Sequence, residues 1–325
     1  MADLDDSAPQ YRIAILDDYQ SVATAIADWR PLAGRAEVVS FTNHLTDPEE
    51  VVSRLVNFDI VVVMRERTPL PRELLARLPR LRLLVTTGMR NASIDLAAAR
   101  ELGVVVSGTG MSASAPVELT WALLMALVRD VPGEDRRTRE GLWQQNLPLE
   151  LAGSTLGIIG LGRLGQRVAA IAQMFGMTVI AWSQYLAAAD AAQHGVERVG
   201  KSELFRRSDI VSIHTVLSAR TRNLVGAAEL ELLGSAGYLV NTSRGPIVNQ
   251  ADLVAALERG VIAGAALDVF DIEPLPVGHP LLTAPRTILS PHMGFVSRQA
   301  YAATYGQVVE DITGWLEGNP VRVLG

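Results

Sequence analysis

An α/β chain with two doubly wound parallel-sheet domains is predicted by three observations. Short β-rich runs alternate with amphipathic helical runs in two successive series. The β runs are apolar throughout rather than at every second residue, which suits strands covered on both faces. At 325 residues the chain is also long for one compact domain and comfortable for two.

In the first series, strands are expected at residues 12–16, 37–40, 60–63, 83–85 and 104–106, with helical stretches at 48–56, 71–78 and 94–102. Residues 107–115 read SGTGMSASA, a run of small residues that makes a natural linker. Pro116 sits where a helix start tolerates proline, and that helix should run to about Arg129. Apolar residues go nearly all the way round it, so it is expected to pack on a partner as well as on its own domain. Residues 131–151 read as a looser stretch.

The alternation restarts at Thr155 with a strand, a Gly-rich turn and a helix to Phe175. Further strands are expected at 178–181, 210–213, 238–241, 264–266 and 287–289. The closing helix, 297–316, follows the last strand of this series and is expected to return to the first domain. The expected division is therefore 1–106 plus 295–325, and 107–294, with a hinge at the two crossings and a cleft between the domains.

Composition narrows the function classes. Apolar residues make up 49% and charged residues 20%, and the net charge is −6. A nucleic-acid partner would need clustered Lys and Arg instead. The chain has no cysteine, which removes disulfides, thiolate metal sites and cysteine nucleophiles and fits a reducing compartment. Residues 1–6, MADLDD, lack the basic and apolar regions of a signal peptide. The longest strongly apolar helical run, 119–128, falls short of the roughly 20 residues a bilayer requires. A cytoplasmic protein without a membrane partner is expected. With no His pair at helical spacing, no metal is expected either.

Gly160-Leu161-Gly162-Arg163-Leu164-Gly165 follows one strand and opens one helix. In that setting Gly160 permits the tight turn, Gly162 admits a pyrophosphate, and Gly165 lets helix and strand pack closely. The amides of Arg163 and Leu164 begin the helix, where anions bind. An acidic residue that binds the adenosine ribose is expected about 20 residues on. Here the run is Trp182-Ser183-Gln184-Tyr185, with no carboxylate and no adjacent arginine. Ser183 and Gln184 are able to bond a hydroxyl or a phosphate, so NAD and NADP both remain open.

Three segments near the C-terminal end offer a cation, a carboxylate and an imidazole at strand ends: Asn241–Gly245 (NTSRG), Leu267–Pro274 (LDVFDIEP) and Ser290–Gly294 (SPHMG). Reduction of a 2-oxo acid needs a cation to orient the carboxylate, and Arg244 suits it. It needs a proton donor at the carbonyl, for which His292 titrates in the right range. It also needs a carboxylate to fix the imidazole tautomer, and Glu273 supplies one. Singly, each has a bland reading as a surface charge, a turn residue or a core histidine; three at strand ends of one domain are harder to dismiss.

These motifs resemble the D-isomer-specific 2-hydroxyacid dehydrogenase family over nearly the whole length. The resemblance implies a flavodoxin-like substrate domain and a Rossmann dinucleotide-binding domain, NAD or NADP as cofactor, a small 2-oxo acid or 2-hydroxy acid as substrate, and a homodimer through the apolar helix 116–129. It implies that Arg244 binds substrate, that His292 and Glu273 form the acid–base pair, and that Thr242 and Asp268 contact the cofactor. The loop Thr87-Gly88-Met89-Arg90-Asn91 resembles the one whose amides, at Gly88 and Met89, hold the substrate carboxylate. Arg65 is read either as lining the same site or as a solvated strand-end charge. Tyr301 and Tyr305, one helical turn apart, are read as a packed face in preference to a substrate mouth. The family often has proline where Val216 stands, and His214 reads as structural or close to the adenosine. The contrasting reading is a non-catalytic dinucleotide sensor, since related folds serve as corepressors.

Overall fold

The computed structural model describes residues 10–325. The acidic start at 1–6 lies outside the described residues. Two compact units are present, residues 10–112 with Val296–Gly325, and Ala113–Phe295.

The first unit is built on five parallel strands: β1 (Tyr11–Ile15), β2 (Ala36–Ser40), β3 (Ile60–Val63), β4 (Leu83–Thr86) and β5 (Val105–Gly108). Their order is β2-β1-β3-β4-β5. Every residue of β3 and β4 is buried, which is why the sequence shows no polar alternation there. The helices expected at 71–78 and 94–102 are shorter, Arg72–Leu75 and Leu96–Glu101. Asp95 makes the second one start later than expected by capping its N-terminus, accepting the Ala98 N–H at 2.8 Å.

Arg298–Leu316 forms the closing helix, capped where Ser297 Oγ accepts the Ala300 N–H at 3.1 Å. It buries Tyr301, Tyr305, Val308 and Ile312, a spacing that keeps one face on the sheet. The two tyrosine rings meet edge to face at 5.7 Å. The tail then runs along the outer edge of β5. Gly108 N–H donates to Arg322 O at 3.0 Å, and Leu324 N–H to Val106 O at 2.8 Å, covering a strand edge that would otherwise be open.

The second unit holds seven parallel strands: β6 (Thr155–Ile159), β7 (Thr178–Trp182), β8 (Glu197–Arg198), β9 (Ile210–Ile213), β10 (Tyr238–Asn241), β11 (Gly264–Leu267) and β12 (Thr287–Leu289). Their order is β12-β11-β10-β9-β6-β7-β8. Ile158 points into one hydrophobic cluster and its neighbour Ile159 into another, so both faces of the sheet are covered.

Two readings of this unit change. The apolar helix starts earlier than Pro116, at Ser114, and runs to Val128. Proline is tolerated there because first-turn amides have no helical acceptor. Its apolar residues, Val117, Trp121, Leu124 and Leu127 among them, are buried within the unit itself, so its all-round apolar character needs no second copy. The stretch read as loose contains a helix, Val131–Arg139. Ion pairs hold it in place of an apolar stripe: Arg137 bonds Asp130 and reaches Glu134 at 2.7 Å, and Arg139 reaches Asp135 at 2.9 Å. Among the described residues no helix is long and apolar enough to cross a membrane.

Candidate active site

In the second unit the chemistry collects just beyond the carboxyl ends of β10, β11 and β12, where ligands bind in open parallel sheets. After β10, the Asn241 side chain clamps the turn. Its oxygen accepts the Ser243 N–H at 3.0 Å and its amide donates to Arg244 O at 3.0 Å. Arg244 is half-buried, with Nη1 on Ser243 O at 2.7 Å. Gly245 follows because the backbone of Phe270 crosses it; a Cβ there would stand 2.1 Å from Phe270 C. That crossing brings the Arg244 turn against the segment carrying Glu273.

Glu273 Oε1 accepts the Phe270 N–H at 2.9 Å, and Oε2 lies 2.5 Å from His292 Nδ1. The carboxylate is thus fixed by two partners, and it fixes the imidazole in turn. With Nδ1 engaged, Nε2 is the nitrogen left for a substrate. The ring edge rests on Phe295, with centroids 5.7 Å apart. His292 sits at φ +54°, a left-handed conformation uncommon outside glycine and Asn. Asp268 holds that turn: its two oxygens accept the Met293 and Gly294 N–H groups at 2.7 and 2.8 Å. Asp268 has no exposed surface, and burial pushes its carboxyl above the ordinary range despite those bonds. Its carboxylate is therefore turned into the protein and supports the His292 loop.

At the Gly-rich turn the three glycines divide their roles. Gly160 has φ +97°, and a Cβ on it would stand 2.7 Å from His214 O. On Gly165 a Cβ would meet Gly160 O at 2.2 Å. A Cβ on Gly162 would meet nothing within 4 Å, which leaves room for a ligand above the first amides of the helix Arg163–Met174. Arg163 is exposed and Leu164 half-buried. This arrangement fits a pyrophosphate. Thr242 pairs its hydroxyl with Thr120 at 2.8 Å, and Ser183 is half-buried at the end of β7. His214 bonds Ser212 Oγ through Nε2 at 2.8 Å, and burial holds its pKa down to about 4. It is a neutral structural ring beside the dinucleotide turn.

In the first unit, Gly88 lies at φ +113° with its N–H donated to Thr109 Oγ1 at 3.1 Å. That amide is already engaged, whereas the N–H of Met89, a residue 46% exposed, has no backbone acceptor among the described residues. Arg65 is not a solvated charge. Its side chain is 16% exposed, lies over Gly88 and bonds Met111 Sδ.

Two partnerships were not visible in the sequence. His44 Nδ1 lies 2.8 Å from Asp17, which also accepts the Thr68 hydroxyl at 2.8 Å, a buried network tying loops of the first unit. Arg220, in the loop after β9, donates to the Tyr185 hydroxyl at 3.0 Å. Among the described residues, no group of three His, Asp or Glu side chains is arranged to hold a metal.

A doubly wound unit with a phosphate-binding turn and a carboxylate–imidazole pair beside a clamped arginine defines the class of nicotinamide-dependent oxidoreductases. The comparisons narrow it. The family model for the NAD binding domain of D-isomer specific 2-hydroxyacid dehydrogenases matches residues 121–294. A glyoxylate reductase of Aeropyrum pernix is 39% identical over 76% of this chain and 76% of its own length. A hydroxypyruvate reductase of Blautia hydrogenotrophica is 32% identical over 96% of this chain and 99% of its own. The crystal structure of a phosphoglycerate oxidoreductase from Vibrio cholerae superposes with a TM-score of 0.90 at 34% identity, covering 95% of this chain and 99% of that one. The chain belongs to the D-isomer-specific 2-hydroxyacid dehydrogenase family, enzymes that use NAD or NADP.

Proposed function

We propose that the protein reduces a small 2-oxo acid of the glyoxylate or hydroxypyruvate type to the D-2-hydroxy acid, with His292 as the proton donor. The observation that carries this is the 2.5 Å contact between Glu273 and His292 Nδ1, which aims Nε2 outward. His292 Nε2–H donates to the carbonyl oxygen, and in the oxidative direction the same nitrogen takes the proton back. Glu273 keeps the tautomer and steadies the imidazolium. Arg244 orients the substrate carboxylate and polarises the neighbouring carbonyl. The glycine turn and the amides of Arg163 and Leu164 hold the pyrophosphate. When bound, the nicotinamide dinucleotide supplies or accepts the hydride.

The test is NADH and NADPH oxidation by purified protein with glyoxylate, hydroxypyruvate, pyruvate and bulkier 2-oxo acids. A rate with the small acids is expected. His292→Ala should lower kcat by about 100- to 10,000-fold while dinucleotide affinity is retained. Unchanged turnover in that variant would remove His292 from the chemistry. The assembly proposed is a homodimer, supported by the exposed apolar residues Leu142, Trp143 and Leu147. A cysteine-free composition supports a cytoplasmic setting.

A further inference from the structure

The end of β7 lacks the carboxylate that favours NAD, and an arginine from another loop stands at that place. Ser183 follows β7 directly, and Tyr185, 78% exposed, lies two residues further on. Arg220 reaches across from the β9 loop. Its Nη1 donates to Tyr185 Oη at 3.0 Å, and its guanidinium lies 5.5 Å from the ring centroid. The loop is braced from within: Thr221 Oγ1 donates to Val216 O and accepts the Ser218 N–H, each at 2.7 Å. The same loop begins at His214, whose carbonyl presses on Gly160. It therefore runs from the phosphate-binding turn to the β7 loop, along the adenosine half of a bound dinucleotide.

We propose that Arg220, positioned by Tyr185 and joined by Ser183, binds the 2′-phosphate of the adenosine ribose and makes the enzyme prefer NADP over NAD. This rests on the dehydrogenase reading above. A planar guanidinium is suited to a phosphate, which it grips with two N–H donors at once. Tyr185 holds the fork in place before the ligand arrives, lowering the entropy that binding must remove. Ser183 adds a hydroxyl donor and, unlike Asp or Glu, no repulsion. The aromatic face of Tyr185 and the bulk solvent beside it leave space for a dianion.

The experiment is calorimetric titration of the purified protein with NADP+, NAD+, 2′,5′-ADP and 5′-AMP. Tighter binding of NADP+ than NAD+, and of 2′,5′-ADP than 5′-AMP, is expected. Arg220→Ala should weaken NADP+ and 2′,5′-ADP about tenfold or more while NAD+ and 5′-AMP change less than about threefold. Arg220→Lys should recover only part of the loss, because the charge returns without the fork. Ser183→Asp should impair NADP+ selectively through charge repulsion. Raising salt should weaken NADP+ binding more than NAD+ binding. Equal losses for all four ligands in Arg220→Ala would mean that the arginine serves the adenine ring, and would overturn the proposal. NAD+ binding as tightly as NADP+ to the unaltered protein would overturn it too, and would leave the dehydrogenase reading standing. Binding of neither dinucleotide would overturn both.

Discussion

Gly162 and Gly165 lie three residues apart in one turn, yet replacing each by alanine should have opposite consequences. A methyl on Gly162 meets nothing within 4 Å, whereas one on Gly165 meets Gly160 O at 2.2 Å. Gly162→Ala should therefore melt within about 0.5 kcal/mol of the unaltered protein but lose dinucleotide affinity, because the methyl occupies the ligand's space. Gly165→Ala should cost about 2–4 kcal/mol of stability, since backbone must move to admit it. Chemical denaturation alongside dinucleotide titration separates the two; a stable Gly165→Ala would contradict the packing described. Residues of this kind were legible in the sequence because their spacing is local. The same holds for Arg244, Glu273 and His292, each in a short motif at a strand end. Arg220 was not legible, since its bond to Tyr185 joins loops 35 residues apart. Nor was the engagement of Asp268 with the backbone of residues 293 and 294, because sequence gives a side chain's type and not its direction.

Eleven of the twelve strands among the described residues were legible from apolar runs, and the closing helix from its place after the last of them; β8, the exposed polar pair Glu197–Arg198, carries no such signal and was not expected. The helix Val131–Arg139 was hidden because its support is ionic and its sequence has no apolar period. The closing helix also carries a buried charge with a pH signature. Asp311 has a fully buried side chain, its carboxyl pushed up to about 7 by burial despite Arg322 at 2.9 Å. Its reference value is 3.8, so from about pH 4 to about pH 7 the folded protein binds more protons than the unfolded chain. Stability should fall as pH rises through that window. His214, on the loop after β9, runs the other way. Its folded pKa is about 4 against 6.5 unfolded, so it makes stability fall as pH drops from about 6.5 toward about 4. Melting temperatures across this range should show Asp311→Asn flattening the loss on the alkaline side, and His214→Gln flattening the loss on the acid side. Slopes unaltered by either substitution would rule out these two groups as its source.

For the whole molecule, the expectation of a homodimer moves from one element to another. The helix Ser114–Val128 spends its apolar surface inside its own unit. A pair of exposed apolar residues, Trp143, 74% exposed, and Leu147, fully exposed, lies instead in the segment after the helix Val131–Arg139. Sedimentation velocity should give about twice the 35.0-kDa chain mass, and Trp143→Ser with Leu147→Ser should return it to one. A monomer from the outset would refute the assembly. The division into two units was foreshadowed by the two alternating series.

That division also sets an order of events on the ribosome. Residues 10–112 emerge before the second unit, but their unit is completed by Val296–Gly325, which are made after it. At synthesis rates of about 5–20 residues per second, the first five strands wait roughly 10–40 s for the closing helix. The second unit is contiguous, so it is able to close while its predecessor is still half-assembled. The early sheet, with uncovered Ile60–Val63 and Leu83–Thr86, is thus the part of the nascent chain most in need of a chaperone.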